Sequence, residues 1–128
     1  MSKPLRDHVL YPELSYKLIE IAFEVHNLIV PGFSEDIYEK AVICELEALQ
    51  IPYEQQKLIR VFYKGQAIGV YRLDLVIDGK IILEPKALSG LNDLFKQQLL
   101  SYLKATDLRL GILVNFGTKQ VEYARVVN

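Results

Sequence analysis

The spacing of apolar residues changes twice along the chain, dividing it into helical and extended stretches. From about Glu13 to Ile29, the residues Leu14, Leu18, Ile21, Ala22, Val25, Leu28 and Ile29 recur at three- and four-residue steps, which predicts an amphipathic helix. Pro31-Gly32 stops it. Ser34 suits the N-cap of a second helix, with Glu35 and Asp36 in the first turn, where the helix dipole favours acids. That helix runs through Ile37, Ala41, Cys44 and Ala48 to about Leu49. From Ile51 the period changes. Segments 57–63, 67–77 and 80–87, rich in Ile, Val, Leu and Tyr and separated by Lys64-Gly65 and Asp78-Gly79 turns, predict an antiparallel meander. A helix over about 92–105 follows Ser89-Gly90. A nearly continuous apolar strand over 109–115, a turn at Asn115-Phe116-Gly117 and a last strand over 120–127 complete the pattern. The order α-α-β-β-β-α-β-β is that of an α/β sheet with helices packed on it. Residues 1–12, broken by Pro4 and Pro12, read as an N-terminal arm before a single domain over 13–128.

Composition narrows the function classes. A chain of 128 residues, 51% hydrophobic and 24% charged, can bury a core without staples. One cysteine, Cys44, excludes an intrachain disulfide and suits a reducing compartment, so the expected location is cytoplasmic. The start, Met1 to His8, carries charge where a signal peptide needs an apolar stretch, and no apolar run approaches the roughly 20 residues of a membrane span. The formal net charge of −1 has more bearing on partners: a polyanion would have to be met by a local patch rather than by overall charge. Lys57, Arg60, Lys64, Lys96, Lys104 and Arg109 could supply one, although their plainer reading is a solvated surface. His26 and Cys44 read as core residues, and the strand aromatics Tyr53, Phe62, Tyr63 and Tyr71 as packing.

The candidate chemistry lies on the hairpin running from Tyr71 to Lys86. Asp74, Glu84 and Lys86 bring two acids and an amine onto neighbouring strands, a set suited to hard divalent cations and an attacking water. Polar positions on a solvated sheet face are the simpler alternative. Register decides between them. A two-residue Asp78-Gly79 loop would put Glu84 on the face opposite Asp74. A three-residue loop, Ile77-Asp78-Gly79, pairs Asp74 with Ile82 and Arg72 with Glu84. Arg72, Asp74, Glu84 and Lys86 then share one face, and Leu73, Leu75, Ile81 and Leu83 the other, which makes this register the expected one. Pro85, lacking an N–H, implies either a distorted strand or a missing neighbour.

The run Pro31-Gly-Phe-Ser-Glu-Asp-Ile-Tyr38, with Gly32, Glu35 and Tyr38 at the signature positions, resembles the GxxExxY proteins, a branch of the PD-(D/E)XK nuclease-like superfamily. The similarity continues through Val25-His26, Tyr63-Lys-Gly65, Asp74, Glu84-Pro-Lys86, Gln98 to Lys104 and Gly111 to Gly117. It implies a restriction-endonuclease-like fold, a mixed sheet flanked by helices, with Asp74 and Glu84 as carboxylate ligands and Lys86 as the catalytic lysine. By the same resemblance Glu35 reaches the site from its helix, and Gln98 and Tyr102 from the helix after the hairpin. The chain departs from the family pattern in three places. Pro85 replaces an aliphatic residue, Ile29-Val-Pro-Gly32 lacks one glycine, and Phe95 stands where a histidine is common.

Two functions compete. The first is a nuclease dependent on Mg²⁺ or Mn²⁺: Asp74, Glu84 and the Pro85 carbonyl hold the ion, Glu35 acts through water or a second ion, Lys86 positions the nucleophile and Gln98 steadies the site. The second is an inactive module of the same fold that binds nucleic acid or a protein partner. A homodimer whose second copy completes the substrate channel is a further, weaker expectation, and no membrane partner is expected.

Overall fold

The computed structural model describes residues 10–128, so most of the arm expected over 1–12 lies outside the described residues. The elements follow the order read from the sequence: α1 (Pro12–Leu28), α2 (Glu35–Ala48), β1 (Tyr53–Tyr63), β2 (Gln66–Ile77), β3 (Ile81–Lys86), α3 (Asp93–Thr106), β4 (Leu110–Asn115) and β5 (Glu122–Val127). The strands form one mixed sheet in the order β1-β2-β3-β4-β5. Only β3 and β4 run parallel, and α3 is the crossover that a parallel pair requires.

Helices cover both faces of this sheet. On one side Leu18, Ile21 and Val25 of α1 and Tyr38, Val42 and Leu46 of α2 pack on Leu75, Ile77, Ile81, Leu83, Leu110, Ile112 and Val114. On the other, Leu99, Tyr102 and Leu103 of α3 pack on Ile59, Leu73, Val76, Ile82 and Leu113. Residues 81–85 and 110–115 are buried without alternation, which explains the continuous apolar run of β4.

Local chemistry accounts for most boundaries and for some departures. Ser34 does occupy the N-cap of α2, but its hydroxyl bonds the Asp36 carboxylate rather than a helix amide. Asn92 caps α3 by accepting from the Phe95 N–H at 3.3 Å. Lys64 and Gly65 are both left-handed (φ 48° and 82°), as a two-residue hairpin turn demands. Strand β1 starts at Tyr53, earlier than the expected 57. His26 is satisfied, with Nε2 2.8 Å from the Thr118 carbonyl oxygen. Cys44 is exposed rather than in the core, because it lies off the α2 face that buries Tyr38, Val42 and Leu46.

The β2–β3 hairpin corrects the expected register. Its loop is Asp78-Gly79-Lys80, closed by Ile77↔Ile81 and by the Lys80 N–H donating to the Ile77 carbonyl at 2.9 Å. Asp78 and Gly79 both take left-handed backbone, φ 53° and 64°. Leu75 therefore pairs with Leu83, and continuing that register sets Asp74 level with Glu84 rather than Ile82, and Arg72 level with Lys86 rather than Glu84. The slip is two residues, so by itself it turns no side chain to the other face.

Tyr38 and Asn115 fasten the connections around the sheet. Tyr38 is fully buried and stacks on Phe116 with ring centroids 5.0 Å apart. Its hydroxyl donates to the Val30 carbonyl at 2.7 Å and accepts from the Phe33 N–H at 3.2 Å, closing the turn that leads into α2. Asn115 accepts from the N–H groups of Leu88 and Gly117 and donates to the Leu88 carbonyl and Glu122. Gly117 must lack a side chain, since a Cβ there would stand 2.3 Å from the Leu88 carbonyl oxygen. Tyr38→Phe keeps the ring stack and removes both hydroxyl bonds. Urea unfolding should show a loss of about 1–2 kcal/mol, with secondary structure unchanged by circular dichroism.

Candidate functional site

Two backbone irregularities open the sheet at one place. The first is the end of the β2–β3 ladder, whose last pair is Leu75↔Leu83 although β3 continues to Lys86. The Lys86 carbonyl faces β4, where it accepts from the Phe116 N–H at 2.8 Å. Backbone groups alternate sides along a strand, so the nitrogen and carbonyl of Pro85 face β2. Proline withholds the N–H that would have carried the ladder on toward Leu73. Its pairing with Val114 of β4 is kept. Of the two explanations open for Pro85, the missing neighbour is the one found.

The second irregularity is a change of phase shared by β1 and β2. Leu73 is buried against α3 while Leu75 is buried with α1 and α2, although residues two apart share a face in a regular strand. On β1, Tyr53 packs on the α1 and α2 side while Ile59 packs against α3. The break falls at Gln56, which is left-handed (φ 55°) and unpaired between Gln55↔Leu75 and Lys57↔Leu73. The residue opposite is Asp74. The expectation that Leu73 shares a face with Leu75, Ile81 and Leu83 is thereby corrected.

Acidic groups gather around this opening. The Asp74 N–H donates to Glu84 Oε2 at 3.2 Å. Glu84 is 5% exposed, and burial, then the Asp74 charge, raise its carboxyl from 4.5 to about 8 against the pull of the Asp74 N–H and the Lys86 ammonium. Glu35 is half-buried in the first turn of α2. Burial raises it most, Lys86 lowers it, and the charges of Asp74 and Glu39 raise it further. The Lys86 ammonium lies 5.5 Å from the Phe95 ring centroid and, among the described residues, makes no ion pair. Tyr102 backs the site, its hydroxyl pushed up to about 12 by burial and then by Glu84. Its ring is 5.1 Å from that of Tyr71.

The remaining candidates lie elsewhere. Gln98 is exposed and lines a cavity of about 310 Å³ with Tyr71, Tyr102 and Ile59. Tyr38 spends its hydroxyl in the turn before α2. Arg72 is exposed on β2, level with Leu58 of β1. Beyond Gln56 and Asp74 the β1–β2 hairpin leaves Phe62, Tyr63 and Tyr71 roughly half exposed or more, so these rings are not packed as expected. A residue the sequence reading missed is Glu39, 6% exposed, which accepts from Gln55 Nε2 at 3.0 Å and Gln56 Nε2 at 3.2 Å. Its spacing from Glu35, one helical turn, was the available signal.

Among the described residues, no three His, Cys, Asp or Glu side chains are arranged to hold a metal ion. The adjacent pair Asp74 and Glu84 nevertheless suits a hard cation, which takes one or two carboxylates and completes its shell with water and substrate oxygens. The Pro85 carbonyl faces the same opening. A buried acid beside a second acid, with no cationic side chain in ion-pair contact, is a donor set that a cation would relieve.

The fold is similar to that in a crystal structure of the protein SSO0001, with a TM-score of 0.54 and 23% identity over 73% of this chain and 49% of that one. The chain thus spans about half the length of that protein. No curated protein matches it in sequence. Residues 12–126, from the start of α1 into β5 and across the whole opened sheet, match the model of the PD-(D/E)XK nuclease superfamily, and the chain belongs to that superfamily.

Proposed function

We propose that the chain is a divalent-metal-dependent nuclease of the GxxExxY branch, hydrolysing phosphodiester bonds of nucleic acid. The observation that carries this reading is the pairing of Asp74 with the buried Glu84 at the opening between β2 and β3, with Lys86 beside it. Asp74, Glu84 and the Pro85 carbonyl are the groups that would hold Mg²⁺ or Mn²⁺. A bound ion of this kind lowers the pKa of its water and offsets charge on the leaving oxygen.

The chain's own residues supply the rest. Glu84 gives up its proton and becomes a full carboxylate. Lys86 holds the attacking water in line and offsets charge developing on the phosphate. Glu35, half-buried at the start of α2, orients a further water. Tyr102 walls the site on the α3 side and keeps solvent from Glu84. Gln98, exposed in the cavity beside Tyr102, contacts the nucleic-acid strand rather than the reacting atoms.

A second reading, an inactive module of the same fold, is favoured by one observation: no three ligating side chains are grouped among the described residues. Fold alone does not decide between the two. Calorimetric titration with Mn²⁺ and cleavage of labelled oligonucleotides separate them. The nuclease reading expects Glu84→Ala to abolish both binding and cleavage. It expects Lys86→Ala to keep Mn²⁺ affinity within a few-fold while cutting cleavage by roughly 10²–10⁴. Wild-type protein that neither binds Mn²⁺ nor cleaves would establish the inactive module.

The raised Glu84 carboxyl sets a pH dependence. Its folded value lies above the unfolded one, so the stability it confers is complete below 4.5 and is lost as pH rises through about 8. Thermal unfolding of the metal-free protein should therefore shift to lower temperature between pH 5 and pH 8, and Glu84→Gln should lessen that shift. Mn²⁺ binding at pH 7 should release about one proton, measured by titration in buffers of different ionisation enthalpy.

A further inference from the structure

Adjacent side chains on a regular strand point to opposite faces. Gln55 and Gln56 are adjacent on β1, yet both side-chain amides donate to one oxygen, Oε2 of Glu39. They can do so because Gln56 is left-handed, a conformation that residues other than glycine rarely keep unless neighbours hold it. Glu39 therefore grips the kink itself, since an unkinked β1 would offer it one amide and turn the other away. The grip comes from a rigid place: Glu39 sits on the buried face of α2 between Tyr38 and Val42, and is itself 6% exposed.

What lies across the ladder gives the grip its meaning. Gln56 is level with Asp74, and the strands change phase together at that step, between Lys57↔Leu73 and Gln55↔Leu75. On β2 the change frees the Asp74 N–H to reach Glu84 Oε2. We infer that Glu39 is a positioning residue for Asp74, fixing through Gln55 and Gln56 the phase change that sets Asp74 against Glu84. This rests on the nuclease reading for its consequence, but the geometric claim stands apart from any metal. Glu39 thus acts on the site through the backbone and ligates nothing.

Two measurements test it. Amide hydrogen exchange of the metal-free protein, followed by NMR, reads the Asp74 N–H directly. Glu39→Leu should speed Asp74 exchange on the order of 10-fold while Ile112 and Leu113 in β4 stay unchanged. Glu39→Gln, whose amide oxygen still accepts, should stay within about twofold of wild type. Mn²⁺ affinity should fall on the order of 10-fold in Glu39→Leu, the effect typical of losing a residue that orients a ligand, and be retained in Glu39→Gln. If Glu39→Leu does not fold, the double variant Gln55→Ala/Gln56→Ala removes both amides at exposed positions and leaves the left-handed backbone at residue 56 with nothing to hold it. It should reproduce both effects. Unchanged Asp74 exchange in the folded variant, or faster exchange with unaltered Mn²⁺ affinity, overturns the inference. Should wild type bind no Mn²⁺, the metal-dependent reading fails while Asp74 exchange still decides this one.

Discussion

The loss of pairing between β2 and β3 beyond Leu75↔Leu83 is the constraint on which the rest of the site depends. A continuous ladder would spend the backbone groups of Leu73 and Pro85 on each other and close the sheet at this point. With the ladder stopped and the strands out of phase at Gln56 and Asp74, the Asp74 N–H finds the Glu84 carboxylate, and one otherwise orphaned donor satisfies one buried acceptor. Pro85 contributes by having no N–H to lose on that side, while β4 continues to hold its other edge. Proline thus stands where the backbone tolerates it.

Much of this architecture was legible in the residues. Helical periods in α1 and α3, the breaks at Pro31-Gly32 and Lys64-Gly65, and the unbroken apolar run of β4 each follow from one local rule, and each is found. The hairpin register was not, for a physical reason. Loops Ile77-Asp78-Gly79 and Asp78-Gly79-Lys80 differ by two in pairing, and both give the same alternation, so the hydrophobic pattern cannot choose between them. The phase change at Asp74 was hidden differently. Both faces of the sheet are covered by helices, so Leu73 and Leu75 look alike in sequence although they are buried on opposite sides. Glu39 was overlooked because an acid on a helix reads as exposed unless its partners, here two glutamines far along the chain, are known.

Membership of the PD-(D/E)XK superfamily and the geometry of the opening address different questions. The first explains why a small mixed sheet flanked by helices should carry acids at the end of a hairpin. The second concerns charge. The Asp74 charge acts on Glu84, Glu35 and Glu39 alike, and Lys86 is the one cation that acts on Glu35 and Glu84. A low-dielectric setting with several acids and a single amine holds a proton more tightly than water would. The same imbalance makes room for positive charge from outside.

The resting place of Lys86 has a consequence of its own. An ammonium so near two carboxylates would ordinarily collapse onto one of them, silencing both partners until something prised them apart. Here it leans on the flat face of Phe95. An aromatic face attracts a cation without neutralising it. The amine is therefore held without an ion pair among the described residues, so a newcomer need not first dissolve an internal bond to recruit it.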